Sequence, residues 1–138
     1  MTDPKSWNQS VIEEFRSAGG KVGGQFAGAP LLLLTTTGAK SGREYTTPMM
    51  YLADGDRIAV FASKAGAPSN PDWYYNLVAH PRAIVEIGDE TGDVDAVIAG
   101  PEERDRLYGI QEERYPGFAE YQAKTERTIP VVILTRVP

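Results

Sequence analysis

Asp54-Gly55-Asp56 lies between two runs of strand-forming residues, Tyr45 to Ala53 and Arg57 to Ser63. An Asp-Gly pair so flanked is a strong hairpin signal and makes the two runs antiparallel neighbours. Four more segments read as strands: Leu31 to Thr37, Ala83 to Gly88, Asp93 to Ala99 and Ile129 to Thr135, with a second hairpin through Asp89 to Gly92. About six strands joined mostly by short turns imply antiparallel pairing. A sheet of that kind with one apolar face tends to curl into a barrel.

Helices fill the intervals. Trp7, Val11, Phe15 and Ala18 recur at helical spacing until Gly19-Gly20 stops the pattern. This helix can cover the core or lie on a membrane surface, and the adjacent Glu13 and Glu14 weigh against the membrane. The stretch Gly19 to Pro30 is Gly-rich and reads as a loose lead-in. Asn70-Pro71-Asp72 reads as a helix start, with Asn70 as cap and Pro71 first in the helix, and the helix ends at His80-Pro81. Pro101 opens a charged helix to about Arg114, and a short one follows from Phe118 to about Glu126. The expected fold class is α+β, mainly antiparallel β. It divides into a helix and lead-in over 1–30 and a barrel domain over 31–138.

The chemistry is narrowed by what is scarce. A chain of 138 residues that is 41% apolar supports one domain with one core. Without cysteine there is no disulfide or thiolate chemistry, and with a single histidine, His80, a metal site is not expected. No Gly-x-Ser-x-Gly elbow accompanies that histidine. Glu102-Glu103 and Glu112-Glu113 sit in charged helical runs that read as solvated faces. The net charge of −5 argues against a nucleic-acid partner. No run is long enough to span a membrane and residues 1–10 lack an export pattern, so the expected location is cytoplasmic, with contact at the inner membrane face left open. Any catalysis then falls to a bound organic cofactor.

One local feature runs against the acidic whole. Thr35-Thr36-Thr37-Gly38-Ala39-Lys40-Ser41-Gly42 follows the apolar run Leu31 to Leu34, and Arg43 comes next. Gly38 and Gly42 let backbone N–H groups converge, while Lys40 and Arg43 add positive charge, which suits an anion cradle. A solvated basic turn explains the same residues equally well. The spacing is not that of a P-loop, and the dinucleotide Gly-x-Gly-x-x-Gly pattern is absent.

Six stretches together resemble the deazaflavin-dependent nitroreductases, a branch of the split-barrel flavin-type oxidoreductases. They are 35–43, Pro-Met-Met-Tyr-Leu at 48–52, Ala-Ser-Lys-Ala-Gly-Ala-Pro at 62–68, Asn-Pro-Asp-Trp-Tyr-Tyr-Asn-Leu at 70–77, Tyr-Pro-Gly-Phe-Ala-Glu-Tyr-Gln at 115–122 and Thr-Glu-Arg-Thr-Ile-Pro-Val-Val at 125–132. They run in order from about Leu31 to the C-terminus. The resemblance implies a split β-barrel that binds coenzyme F420, an 8-hydroxy-5-deazaflavin with a phosphate and a polyglutamate tail. It also implies hydride transfer from the reduced cofactor to a quinone, activated enone or nitro compound.

On this resemblance the cofactor-binding residues are Lys40, Ser41, Gly42, Arg43, Met50, Ala62, Ser63, Lys64, Asp72, Trp73 and Asn76. Met50, Tyr115, Phe118 and Tyr121 line the acceptor site, with Ser63, Tyr115 and Tyr121 as its polar, catalytic contacts, and Tyr115, Phe118 and Tyr121 form a lid. Three departures stand out. Tyr45 occupies a position where relatives commonly carry Arg. Met50 and Phe118 occupy positions where some carry Tyr. Pairing of two copies is expected of split barrels. Two other functions compete: an FMN-dependent split-barrel oxidoreductase, and a deazaflavin-binding protein without turnover.

Overall fold

Leu31 to Leu34 form an unbroken buried run, and the architecture follows from covering both of its faces. The computed structural model describes residues 4–19 and 30–137. The Gly-rich lead-in from Gly20 onward and the side chain of Trp7 lie outside the described residues. Six antiparallel strands close a barrel: β1 (Leu31–Thr37), β2 (Glu44–Asp54), β3 (Arg57–Phe61), β4 (Arg82–Ile87), β5 (Glu90–Ile98) and β6 (Val131–Arg136), in the order β1-β2-β3-β6-β5-β4. Pairing of Leu34 with Val85 joins β1 to β4 and closes the ring.

Alternation along each strand sends side chains to different cores. Leu32, Leu34, Ile58, Val60, Val85, Val94, Val132 and Leu134 share one cluster with Trp73 and Leu77 of α2 (Asp72–Ala79). Leu31 and Leu33, one residue out of phase, pack with Val11, Ile12 and Phe15 of α1 (Pro4–Ser17). The apolar stripe of α1 is therefore used on the barrel, with Ile12 buried where Ala18 was expected and Ala18 exposed. No helix among the described residues is long and apolar enough to cross a membrane. Arg16 Nε and Nη2 donate to both carboxylate oxygens of Glu86, tying α1 to β4. A third cluster sets Ala59, Phe61, Val131 and Ile133 against α3 (Pro101–Arg114) and α4 (Gly117–Ala123).

Several local expectations shift. The β4–β5 connection is not Asp89 to Gly92 but the two-residue turn Gly88-Asp89, with Ile87 paired to Glu90 and Gly88 at φ 58°. A two-residue hairpin needs that left-handed backbone, so the glycine and not the polar run fixes the turn. Pro71 flanks α2 instead of opening it, and the Asn70 side chain does not cap the helix because it accepts a bond from Arg127. The strand from Arg57 stops at Phe61 and not at Ser63. The last helix ends at Ala123, short of Glu126.

Tyr108 fastens α3 to α4. Its ring is 1% exposed and packs edge-on to Phe61 and Phe118, while its hydroxyl donates to the Phe118 carbonyl at 2.6 Å. Burial, with the Glu112 charge beside it, pushes the phenol up from 10.0 to about 12. A phenol held protonated in the fold stabilises fully below pH 10 and loses that contribution as pH rises toward 12. Tyr108→Phe removes this buried hydrogen bond and is expected to cost about 1 kcal/mol at neutral pH. In urea unfolding, the gap between wild type and variant should hold up to pH 10 and narrow as pH rises from 10 toward 12.

Candidate active site

A groove of about 1020 Å³ lies between α1, the β1–β2 loop and α2. Gln9 and Ile12 line it from α1, Thr36 and Gly38 to Ser41 from the loop side, Tyr45 to Thr47 from β2, and Asp72, Trp73, Tyr75 and Asn76 from α2.

The loop is held by its own hydrogen bonds. Gly38 N–H donates to the Arg43 carbonyl at 2.7 Å, and Gly42 N–H to the Gly38 carbonyl at 3.1 Å. Gly42 is left-handed at φ 70°. Gly38 is required for space: a Cβ there would sit 2.5 Å from Ser41 Oγ and 2.8 Å from the Tyr45 ring. Tyr45 Oη and Ser41 Oγ are 3.0 Å apart and share a hydrogen bond, so Tyr45 braces the loop from its side.

Asn76 sets where the loop lies. Its Oδ1 accepts Ala39 N–H at 3.0 Å and its Nδ2 donates to Thr36 Oγ1 at 3.1 Å, so a buried amide joins α2 to the end of β1 and the start of the turn. Both ends of the side chain are thereby occupied, which makes it a support for the cradle. Lys40 and Arg43 take part in no ion pair among the described residues, and the Lys40 and Ser41 N–H groups have no partner there. Unpaired cations and N–H groups on one loop of an acidic chain suit a polyanion.

A second loop follows β3. Ser63 leads into a single 3-10 turn, Lys64–Gly66, in which Lys64 (φ 46°), Ala65 (φ 53°) and Gly66 (φ 80°) are all left-handed. For Lys64 and Ala65 this conformation costs roughly 1–3 kcal/mol each. A Cβ on Gly66 would lie 2.8 Å from the Tyr121 carbonyl, so the turn abuts α4. Arg127 supports it, donating to the carbonyls of Ala62 (3.1 Å), Ser63 (2.9 Å) and Ala67 (3.0 Å) and to Asn70 Oδ1 (2.7 Å).

Of the residues expected at the site, the groove brings together Lys40, Ser41, Asp72, Trp73 and Asn76, with Gly42 and Arg43 completing the same loop. Ala62 is buried in the barrel interior, and Ser63 and Lys64 occupy the second turn. Met50 is half-buried between the α1 cluster and the α3–α4 cluster. Tyr115 and Tyr121 flank the latter. Phe118 is packed in that core, edge-on to Phe61, Tyr108 and Tyr121, and is not exposed as a lid residue would be. Thr36, Tyr45, Arg127 and the α1 wall were not anticipated. Arg127 lies within the 125–132 stretch, whereas no local pattern marks Gln9 or Ile12.

The family model for the F420H(2)-dependent quinone reductases matches residues 7–136. The chain belongs to this family. An F420H(2)-dependent quinone reductase of Mycobacterium tuberculosis is 41% identical over 126 residues, covering 88% of this chain and 85% of the relative. The solved structure of an F420-H2 dependent reductase is 43% identical with a TM-score of 0.70, covering 76% of this chain and 93% of that one. A structure solved as a domain-swapped dimer is 38% identical with a TM-score of 0.72, covering 96% of this chain and 99% of that one. As a member of the F420H(2)-dependent quinone reductase family, the protein is an oxidoreductase, its cofactor is F420 and its fold is the split barrel. The unpaired basic loop beside a groove walled by Ile12 and Trp73 fits a cofactor that joins a flat ring to an anionic tail.

Removing the Asn76 amide should free the loop. Asn76→Ala leaves Ala39 N–H and the buried Thr36 hydroxyl without partners and should cost about 1–3 kcal/mol in denaturant unfolding. Amide exchange should quicken at 38–43 ahead of the strands. Asn76→Asp is not a rescue, since it loses the donor to Thr36 and puts a charge in the same buried place.

Proposed function

We propose that the chain reduces quinones with hydride from reduced F420, using the groove for the cofactor tail and the region beside the Ser63–Gly66 turn for the ring and acceptor. The observation that carries this is the loop at 40–43, whose Lys40 and Arg43 charges and Lys40 and Ser41 N–H groups have no partner among the described residues, in a chain of net charge −5. Lys40, Arg43 and the loop N–H groups would hold the phosphate and carboxylates, with the N-terminal turn of α2 at Asp72-Trp73 beside them. Met50, Ser63 and Lys64 would bound the ring, with the buried Ala62 behind them. When bound, reduced F420 supplies the hydride.

The rest of the chemistry falls to side chains of this chain. A quinone that gains a hydride must also gain a proton on an oxygen, and the half-buried Tyr115 and Tyr121 hydroxyls, with Ser63 Oγ, are the donors assigned to it. Met50 and the flanking aromatic rings supply apolar surface for stacking a flat acceptor and excluding water. A nitro group develops charge on oxygen and needs donors that a methionine lacks. Similarity to a domain-swapped dimer supports pairing of two copies, which light scattering reads directly.

The test is an equilibrium titration with F420 and with FMN, followed by turnover with a quinone. F420 should bind more tightly than FMN, and its affinity should fall as salt screens the loop. Lys40→Ala should weaken F420 by about 1–3 kcal/mol at low salt. Equal or tighter FMN binding sinks the assignment, and wild-type affinity in Lys40→Ala shows that the anion sits elsewhere. F420 binding without oxidation by any quinone leaves a carrier. Separately, Met50→Tyr should raise kcat/KM for a bicyclic nitroimidazole relative to a menadione-like quinone.

A further inference from the structure

We propose that Arg127 is the positioning residue of the ring-binding turn, fixing Ser63 and Lys64 in the conformation that F420 meets. This rests on the reading above, in which that turn contacts the cofactor.

The turn is held in a conformation it would not choose. Lys64 and Ala65 both lie in the left-handed region. Non-glycine residues stay there only where their surroundings over-determine them. Within the turn Gly66 N–H donates to the Ser63 carbonyl at 2.9 Å and Ala67 N–H to the Lys64 carbonyl at 3.0 Å; Arg127 takes the carbonyls of Ala62 and Ala67 and shares that of Ser63 with Gly66. Three nitrogens of one guanidinium reach them, and Nη1 also reaches Asn70 Oδ1, the last residue before Pro71 and α2. A planar fork fixes several acceptors at once, which an ammonium on a flexible stem does not.

The chemistry of the clamp is itself informative. Arg127 has no carboxylate partner among the described residues, and its four side-chain bonds go to neutral oxygens. An arginine serving only to neutralise charge would sit beside an acid. This one is used for its geometry, and it adds no negative group next to a site for a polyanion.

Arg127 is fixed in turn. Its carbonyl accepts Gln122 Nε2 at 2.7 Å. Gln122 Oε1 accepts Ile129 N–H at 3.0 Å and Arg104 Nη2 at 2.6 Å, and Arg104 Nε donates to the Ile129 carbonyl at 2.9 Å. The turn is thus referenced to α3 and α4, the helices that carry or flank Tyr115 and Tyr121. Gly66 against the Tyr121 carbonyl makes the second contact. Cofactor turn and acceptor segment share one polar frame.

The experiment compares Arg127→Lys, Asn70→Ala, Ser63→Ala and Lys64→Ala with wild type by F420 fluorescence titration, and by amide hydrogen exchange of the cofactor-free protein. Arg127→Lys should keep the barrel, bind F420 about tenfold or more weakly, and exchange faster at 62–70 while the strands stay protected. Asn70→Ala, which removes one of the four bonds, should fall between. Wild-type affinity in Arg127→Lys overturns the proposal. So does faster exchange spread evenly over the barrel, which marks a merely structural residue. If Arg127→Lys does not fold, Asn70→Ala decides on the same two readouts. Weakened binding in Ser63→Ala or Lys64→Ala with an unaffected Arg127→Lys overturns this proposal alone. Wild-type binding in both Ser63→Ala and Lys64→Ala sinks the reading beneath it, and the proposal with it.

Discussion

The burial of β1 on both faces is the constraint on which the rest depends. Leu32 and Leu34 fill the barrel while Leu31 and Leu33 need a separate cover, which α1 supplies. The strand then emerges from that double burial into Thr35, Thr36 and Thr37, whose hydroxyls mark the change from core to site. Thr36 holds Asn76, and Thr35 shares a 2.8 Å hydrogen bond with Thr46 across the β1–β2 pair. The basic loop is therefore mounted on a strand that is buried on both faces. On the proposed function, such a mount would hold a flexible anionic tail without itself rearranging.

The two loops of the site are secured by different means. The Lys40 loop has its charges unpaired and its backbone braced by Asn76 and Tyr45, so its cations are available to a ligand. The Ser63 turn is the reverse: its backbone is strained, and a cation is consumed in holding it. On the proposed function, affinity and precision would thus be divided between two segments. An apolar quinone, on the same reading, needs little more than surface and a proton donor, which Met50 and the flanking tyrosines would supply.

Much of this was legible in the residues. The six strands, the Asp54-Gly55-Asp56 hairpin and the helix at Pro101 follow from periodicity and turn chemistry, which act over a few residues. The loop at 38–43 was legible as a glycine-bounded turn between two strands, but its residues alone suit a solvated basic turn as well as an anion cradle. What was not legible depends on distant partners. Asn70 has the composition of a helix cap, yet Arg127, far along the chain, takes its side chain first. Phe118 has the spacing of an exposed aromatic row, yet Phe61 and Tyr108 enclose it. Asn76 is a plain helical residue until Thr36 and Ala39 are placed beside it.

Ile12 belongs to two structures at once, being buried against β1 and part of the groove wall. The N-terminal helix is therefore thermodynamically linked to the ligand: whatever fills the groove gains contact only with molecules whose α1 is docked. A saturated enzyme should hold its first helix more firmly than an empty one, by an amount set by ligand concentration over Kd. Protease resistance of the segment ahead of β1 would then report cofactor supply, without any change in the barrel itself.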